Sequence, residues 1–168
     1  VKKNLLAIAV LMFFIKSSLF AQAFMKDTKT INLGLGLGYG LGILGSAEVG
    51  VANDISAGVV GGFSRRSYGV LGNSFGVTYI VAGVRGSYHF GRILSDAGVN
   101  VDKFDPYAGV TGGFRSVNYD DSWRGYSGVK SGVMLGGYLG LRYQVNDNLG
   151  IMAEGGTPFS TIGITFKR

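Results

Sequence analysis

From Ile31 to Gly42 the chain alternates without a break, with Ile31, Leu33, Leu35, Leu37, Tyr39 and Leu41 on one parity and Asn32, Gly34, Gly36, Gly38, Gly40 and Gly42 on the other. A period of two puts these sets on opposite faces of a strand. In a soluble sandwich the apolar row would face a core, and the other row would carry charged or hydroxyl groups for water. A row of glycines does not suit water, so the second face must be crowded by other parts of the chain. A narrow barrel, oily outside and packed with side chains inside, supplies that crowding.

The alternation returns along the chain. Outward candidates are Ala47, Val49 and Val51 for a second and weakest strand, then Ile55, Ala57, Val59 and Phe63 for a third. A fourth carries Ile80, Ala82, Val84, Tyr88 and Phe90, and a fifth Ala108, Val110 and Phe114. The sixth carries Val133, Leu135, Leu139, Leu141 and Tyr143, the seventh Leu149, Ile151 and Ala153, and the eighth Ile162, Ile164 and Phe166. The expected fold is all-β, an eight-stranded antiparallel transmembrane β-barrel in up-and-down order, and 168 residues suffice for one such domain. Asn53-Asp54 and Asn146-Asp147-Asn148 supply turns for the periplasmic end. The outer connections are then expected at 42–46, 65–76, 116–127 and 157–160. The segment Gly91 to Lys103 also falls at the periplasmic end and is longer than the short-turn rule expects.

Residues 1–23 read as a cleavable signal peptide and 24–168 as the barrel domain. Lys2 and Lys3 precede an apolar run from Leu5 to Ile15, and Ala21-Gln22-Ala23 gives the small-x-small pattern for cleavage after Ala23. Lys16 ends that run well short of the roughly 20 apolar residues of a spanning helix. The formal charge of +6 falls to +3 once Lys2, Lys3 and Lys16 leave with the leader. The remaining cations are scattered, which argues against nucleic acid. With no cysteine there is neither a disulfide nor a lipoprotein anchor.

Fixing the outward parity sorts the functional candidates. Tyr39, Phe63 and Phe114 should form an upper aromatic girdle, and Tyr88, Phe90, Tyr143 and Phe166 a lower one. Glu48, Arg85, Asp105, Arg115, Lys130, Arg142 and Glu154 fall inward, where ionised groups avoid the roughly 2–4 kcal/mol cost of a lipid-facing cation. Two clusters are expected, Glu48 and Glu154 with Arg115 and Lys130 above, Arg85 and Arg142 with Asp105 below; unpaired charges lining a wet lumen are the alternative. Arg65, Arg66, Tyr68 and Phe75 in one loop and Tyr119, Trp123, Arg124 and Tyr126 in another are residue types favoured at binding hot spots, and also types that collect at a membrane boundary.

No catalytic, cofactor or metal site is expected. Gly40, Gly42 and Gly45 match G-x-G-x-x-G, but the residues that follow continue a strand, not a helix. His89, the single histidine, suits packing better than catalysis, and Asp120-Asp121 suits a solvated loop better than a calcium site. The expected role is structural or adhesive, through the outer loops of a plugged monomer. Small-solute passage, lipid A modification and a soluble calycin-like ligand binder are the alternatives.

Three segments carry a family resemblance: Val81 to Phe90, Asp105 to Val110, and Leu139 to Tyr143 running on through Asn146-Asp147-Asn148 to Glu154. From about Thr30 to Arg168 the chain resembles the small outer-membrane β-barrel family typified by OmpA's membrane domain, OmpX and the opacity-type porin-like proteins. The resemblance implies a Gram-negative outer membrane, contact with its lipid, and insertion by the barrel assembly machinery. Ile162 to Arg168 resembles the family's insertion signal, except that Arg168 stands where an aromatic residue is usual.

Overall fold

The computed structural model describes residues 24–70, 73–119 and 130–168. They form eight strands, β1 (Lys29–Leu37), β2 (Leu41–Ala52), β3 (Ile55–Val70), β4 (Asn73–His89), β5 (Phe104–Tyr119), β6 (Gly132–Gln144), β7 (Leu149–Gly156) and β8 (Ser160–Lys167). One short helix, α1 (Gly91–Asp96), lies between β4 and β5. Each strand pairs antiparallel with its sequence neighbours and β8 returns to β1, closing the sheet into a barrel. This is the meander that the period of two predicts.

The register sets the tilt. From Leu135 the partners run Gly112, Val84, Val59, Ala47, Ile31, Phe166 and Leu149. Leu149 then bonds Val145 on the far side of β6, so one circuit slips about ten residues. With about 3.3 Å per residue and 4.8 Å between strands, this slip tilts the strands by roughly 40°. Side chains that meet inside therefore come from very different positions along their strands. Outside, the apolar parity is exposed all round, from Leu33 and Leu37 through Val59, Val84 and Val110 to Leu139 and Ile162.

Three connections differ from the sequence reading. The first rim turn is 38–40, not 42–46, and Leu41 opens β2 opposite Leu37. A three-residue turn preserves parity, so the alternation runs straight through it. Glycine is required there, because a Cβ on Gly38 would strike the Pro158 carbonyl and one on Gly40 the Arg65 carbonyl. The expected 65–76 loop is mostly strand, β3 and β4 pairing out to Val70 and Asn73 as a tall ribbon beyond the rim of β1 and β2. The long 91–103 segment opens with α1 and continues as turns, with Phe90 N donating to Pro106 O and Val99 N to Leu94 O.

Candidate functional site

The lumen is filled at its middle and at the end where β1 starts and β8 finishes. Glu48 is the hub. Its Oε1 accepts from Arg142 Nη2 at 2.8 Å and Asn32 Nδ2 at 3.2 Å, with Arg85 Nε 3.5 Å away, and its Oε2 accepts from Ser56 and Ser87 at 2.8 Å each. Arg85 donates to both oxygens of Glu154 and, through Nε, to the Tyr138 hydroxyl at 3.0 Å. Arg142 donates to Asp105 Oδ2 at 3.1 Å, and its side chain is 0% exposed. Each guanidinium lies over a ring, Arg85 on Tyr138 at 4.1 Å and Arg142 on Tyr107 at 4.2 Å.

Glycines make room for this network. Gly140 lies between Tyr107 and Glu154 in the register, and Tyr107 reaches across it to donate to Glu154 Oε1 at 2.7 Å. Gly109 lies between Ser87 and Tyr138 in the same way, with the two hydroxyls 2.8 Å apart above it. A Cβ on Gly140 would run into the Tyr107 ring and one on Gly109 into the Tyr138 ring. Here the inward glycine row is the floor on which two tyrosines lie.

The grouping of charges differs from the sequence reading. Glu48 and Glu154 pair with Arg85 and Arg142 rather than with Arg115 and Lys130. With β2 starting at Leu41, Glu48 sits near the Asn53-Asp54 turn, and the short β7 holds Glu154 opposite Gly140 at mid-lumen. Arg115 lies at the opposite mouth, donating to the Lys130 carbonyl at 3.0 Å and lying 4.5 Å from the Tyr39 ring. Lys130 is exposed there. Glu154→Gln should therefore weaken the Arg85 contact and lower stability by about 1–3 kcal/mol, the range for a charged hydrogen bond. The urea midpoint of the fast-migrating folded band on unheated gels measures this, and an unchanged midpoint would remove Glu154 from the network.

His89 is fully buried, its Nε2 3.0 Å from Ser56 Oγ and its Nδ1 2.7 Å from Asp105 Oδ1. The connectivity is that of a nucleophilic triad. The setting is not, because the Ser56 hydroxyl also meets the Glu48 carboxylate, Ser56 is buried, and the Phe24 ring covers the imidazole. Ser56 is 1% exposed and His89 0%, so both groups are packed inside the barrel end. Ser56 was legible as an inward position beside the Asn53-Asp54 turn, but its convergence with His89 depends on the register. Among the described residues no group of three or more His, Asp and Glu side chains is placed to hold a metal ion.

The opposite mouth is capped by rings. Tyr39 stacks on Tyr79 with centroids 5.2 Å apart and meets Phe159 edge-on at 5.4 Å. Tyr39 therefore does not join the outer girdle, because the 38–40 turn folds it over the lumen. Beneath the cap lies a cavity of about 30 Å³, bordered by Leu44, Tyr138, Met152, Glu154 and Pro158, with room for about two waters. Phe63 and Phe114 are exposed on the outer face toward this mouth, and Tyr88 and Phe166 toward the other. Phe90 meets Tyr88 at 5.2 Å and Tyr143 meets Phe104 at 5.1 Å in the lower row.

Among the loop candidates, Arg65 and Arg66 are exposed on the rising part of β3. Tyr68 and Phe75 are backbone partners near the tip of the ribbon, and Tyr119 ends β5 opposite Val77. Trp123, Arg124 and Tyr126, like Asp120 and Asp121, lie outside the described residues, as do residues 1–23.

A closed sheet with an oily exterior and an ionised interior is a form that crosses lipid. No family model and no curated protein matches the chain. Solved structures do match. OprG from Pseudomonas aeruginosa aligns with a TM-score of 0.64 at 12% identity, over 88% of this chain and 98% of that one. The fold is that of a small outer-membrane β-barrel. AlkL, solved in lipid bilayers, aligns with this barrel at a TM-score of 0.57 and 12% identity, covering 91% of this chain and 95% of the other. The attachment invasion locus protein Ail of Yersinia pestis, in complex with the heparin analogue sucrose octasulfate, aligns at 0.51 and 16% identity, covering 86% and 100%. Identities this low speak to fold alone. The fold and the oily belt together place the barrel in an outer membrane.

Proposed function

We propose that the chain is an exported, plugged outer-membrane barrel whose outer rim binds an anionic, glycan-like partner. The rim carries the reading. Among the described residues it holds Arg65, Arg66, Arg115 and Lys130, with Tyr39, Tyr79, Phe159 and Tyr119 around them. The tall β3–β4 ribbon marks this end as the outer one, since barrels of this class keep short periplasmic turns and long outer loops. A filled lumen supports a surface role over solute passage. Ail, which shares the fold, binds a heparin analogue. Export would use residues 1–23 as a leader cut after Ala23, and the assembly machinery would insert the barrel as a monomer.

Phosphate or sulfate groups on a sugar suit exposed guanidinium groups, which pair with them bidentately. Binding of the barrel in detergent to immobilised heparin should therefore weaken with salt, and the paired substitution Arg65→Glu and Arg66→Glu should lower it by at least about tenfold, two reversed charge contacts of roughly 1 kcal/mol each. Undiminished binding by that variant, or no binding by the wild type, would refute the reading.

A further inference from the structure

The segment ahead of β1 is built into the periplasmic mouth. Phe24 is 2% exposed, its ring stacked on the His89 imidazole with centroids 3.8 Å apart and planes 9° from parallel. The main chain is tied down along its length. Asp54 N donates to Phe24 O, Asp27 N to Gly50 O and Gly50 N to Thr28 O, each at 2.8 Å, and Lys26 N donates to Asn53 Oδ1 at 3.3 Å. Gly50 admits the segment, because a Cβ there would strike the Met25 carbonyl. Beside Phe24 lies the Asp54 carboxylate, which is buried. Its Oδ2 pairs with Arg92 Nε at 3.0 Å, while its Oδ1 has no hydrogen-bond partner. A buried carboxylate oxygen without a donor is costly.

We propose that this seat receives a free amino terminus at Phe24, with the ring closing the mouth and the terminal ammonium paired with Asp54 Oδ1. The proposal rests on the leader reading. Two separate observations meet at one residue: the cleavage pattern ends at Ala23, and the first residue after it is the one buried in the barrel end. The bond from the Asp54 amide to the Phe24 carbonyl holds Phe24 against the residue that carries this carboxylate. Water added across the Ala23–Phe24 amide leaves a carboxylate on Ala23 and an ammonium on Phe24, which supplies the kind of donor that Asp54 Oδ1 lacks.

The test uses barrel purified from outer membranes in mild detergent. Its intact mass should correspond to a chain starting at Phe24, and a different start would overturn the leader reading and this proposal together. Given that start, the folded and boiled proteins are treated with an acetylating N-hydroxysuccinimide ester at neutral pH, and the Phe24 amine is followed by peptide mass mapping. The folded protein should react more slowly by roughly tenfold or more, the effect of a charge-assisted hydrogen bond. Asp54→Asn, checked for folding by its unheated gel mobility, should remove most of that protection. Equal rates for folded and boiled wild type would overturn the docking while leaving the leader reading intact. That comparison needs no variant, so it holds even where Asp54→Asn fails to fold.

Discussion

Arg142→Met is expected to destabilise the barrel by about 3–5 kcal/mol, the usual result of removing one member of a buried ion pair. Arg142 is the cation shared by Glu48 and Asp105, at 2.8 Å and 3.1 Å, and both it and Glu48 have side chains 0% exposed. Methionine keeps much of the packing against Tyr107 but supplies no charge. Glu48 then relies on Arg85 at 3.5 Å and on neutral donors, and Asp105 loses the guanidinium while keeping His89 at 2.7 Å. The cost arises from the stranded carboxylates more than from the lost attraction, which makes the prediction separable. Adding Glu48→Gln and Asp105→Asn to Arg142→Met should restore a large part of the loss, because neutral amides tolerate burial far better than unpaired charges. Urea midpoints from gel mobility, checked by circular dichroism, measure both steps. A loss below about 0.5 kcal/mol for Arg142→Met, the level of an ordinary surface change, would show that the network does not hold the lumen.

The barrel was legible because its two faces meet such different surroundings. Leu33, Leu35 and Leu37 face lipid while Asn32, Gly34 and Gly36 face a crowded lumen, so a period of two survives in every strand. Boundaries were less legible. The 38–40 turn keeps the parity of Leu37 and Leu41, which hides the end of one strand and the start of the next. α1 spans only six residues, too few for a helical period to stand out. Charge partners were hidden for a further reason. Inward parity identified Glu48, Arg85, Arg142 and Glu154, but which of them meet depends on the slip around the closed sheet. A period shows which face a residue occupies; it carries no information about level. Phe24 lies ahead of every alternating segment, so no pattern marked it as part of the plug.

Gly140→Ala is expected to destabilise the barrel by about 2–3 kcal/mol, at the upper part of the range for overpacking, although alanine is intrinsically the better strand residue. The added methyl group would run into two carbons of the Tyr107 ring and its hydroxyl oxygen. That ring cannot move aside cheaply, because its hydroxyl is held by Glu154 at 2.7 Å and its face is covered by Arg142 at 4.2 Å. Displacing it breaks the Glu154 contact and loosens the guanidinium above, so one methyl group disturbs the whole plug. Gly137→Ala is the control, since its nearest neighbour would be the Gly109 carbonyl at 3.6 Å, an ordinary contact. It should stay within about 0.5 kcal/mol of wild type. Replacing the ring tests the cause directly. In a Tyr107→Leu background, itself weakened, Gly140→Ala should cost little more, giving a coupling of roughly 1–2 kcal/mol between the two positions. Equal losses from Gly140→Ala in both backgrounds would mean that the methyl group is resisted by something other than Tyr107, and that the glycine row is not the floor of the network.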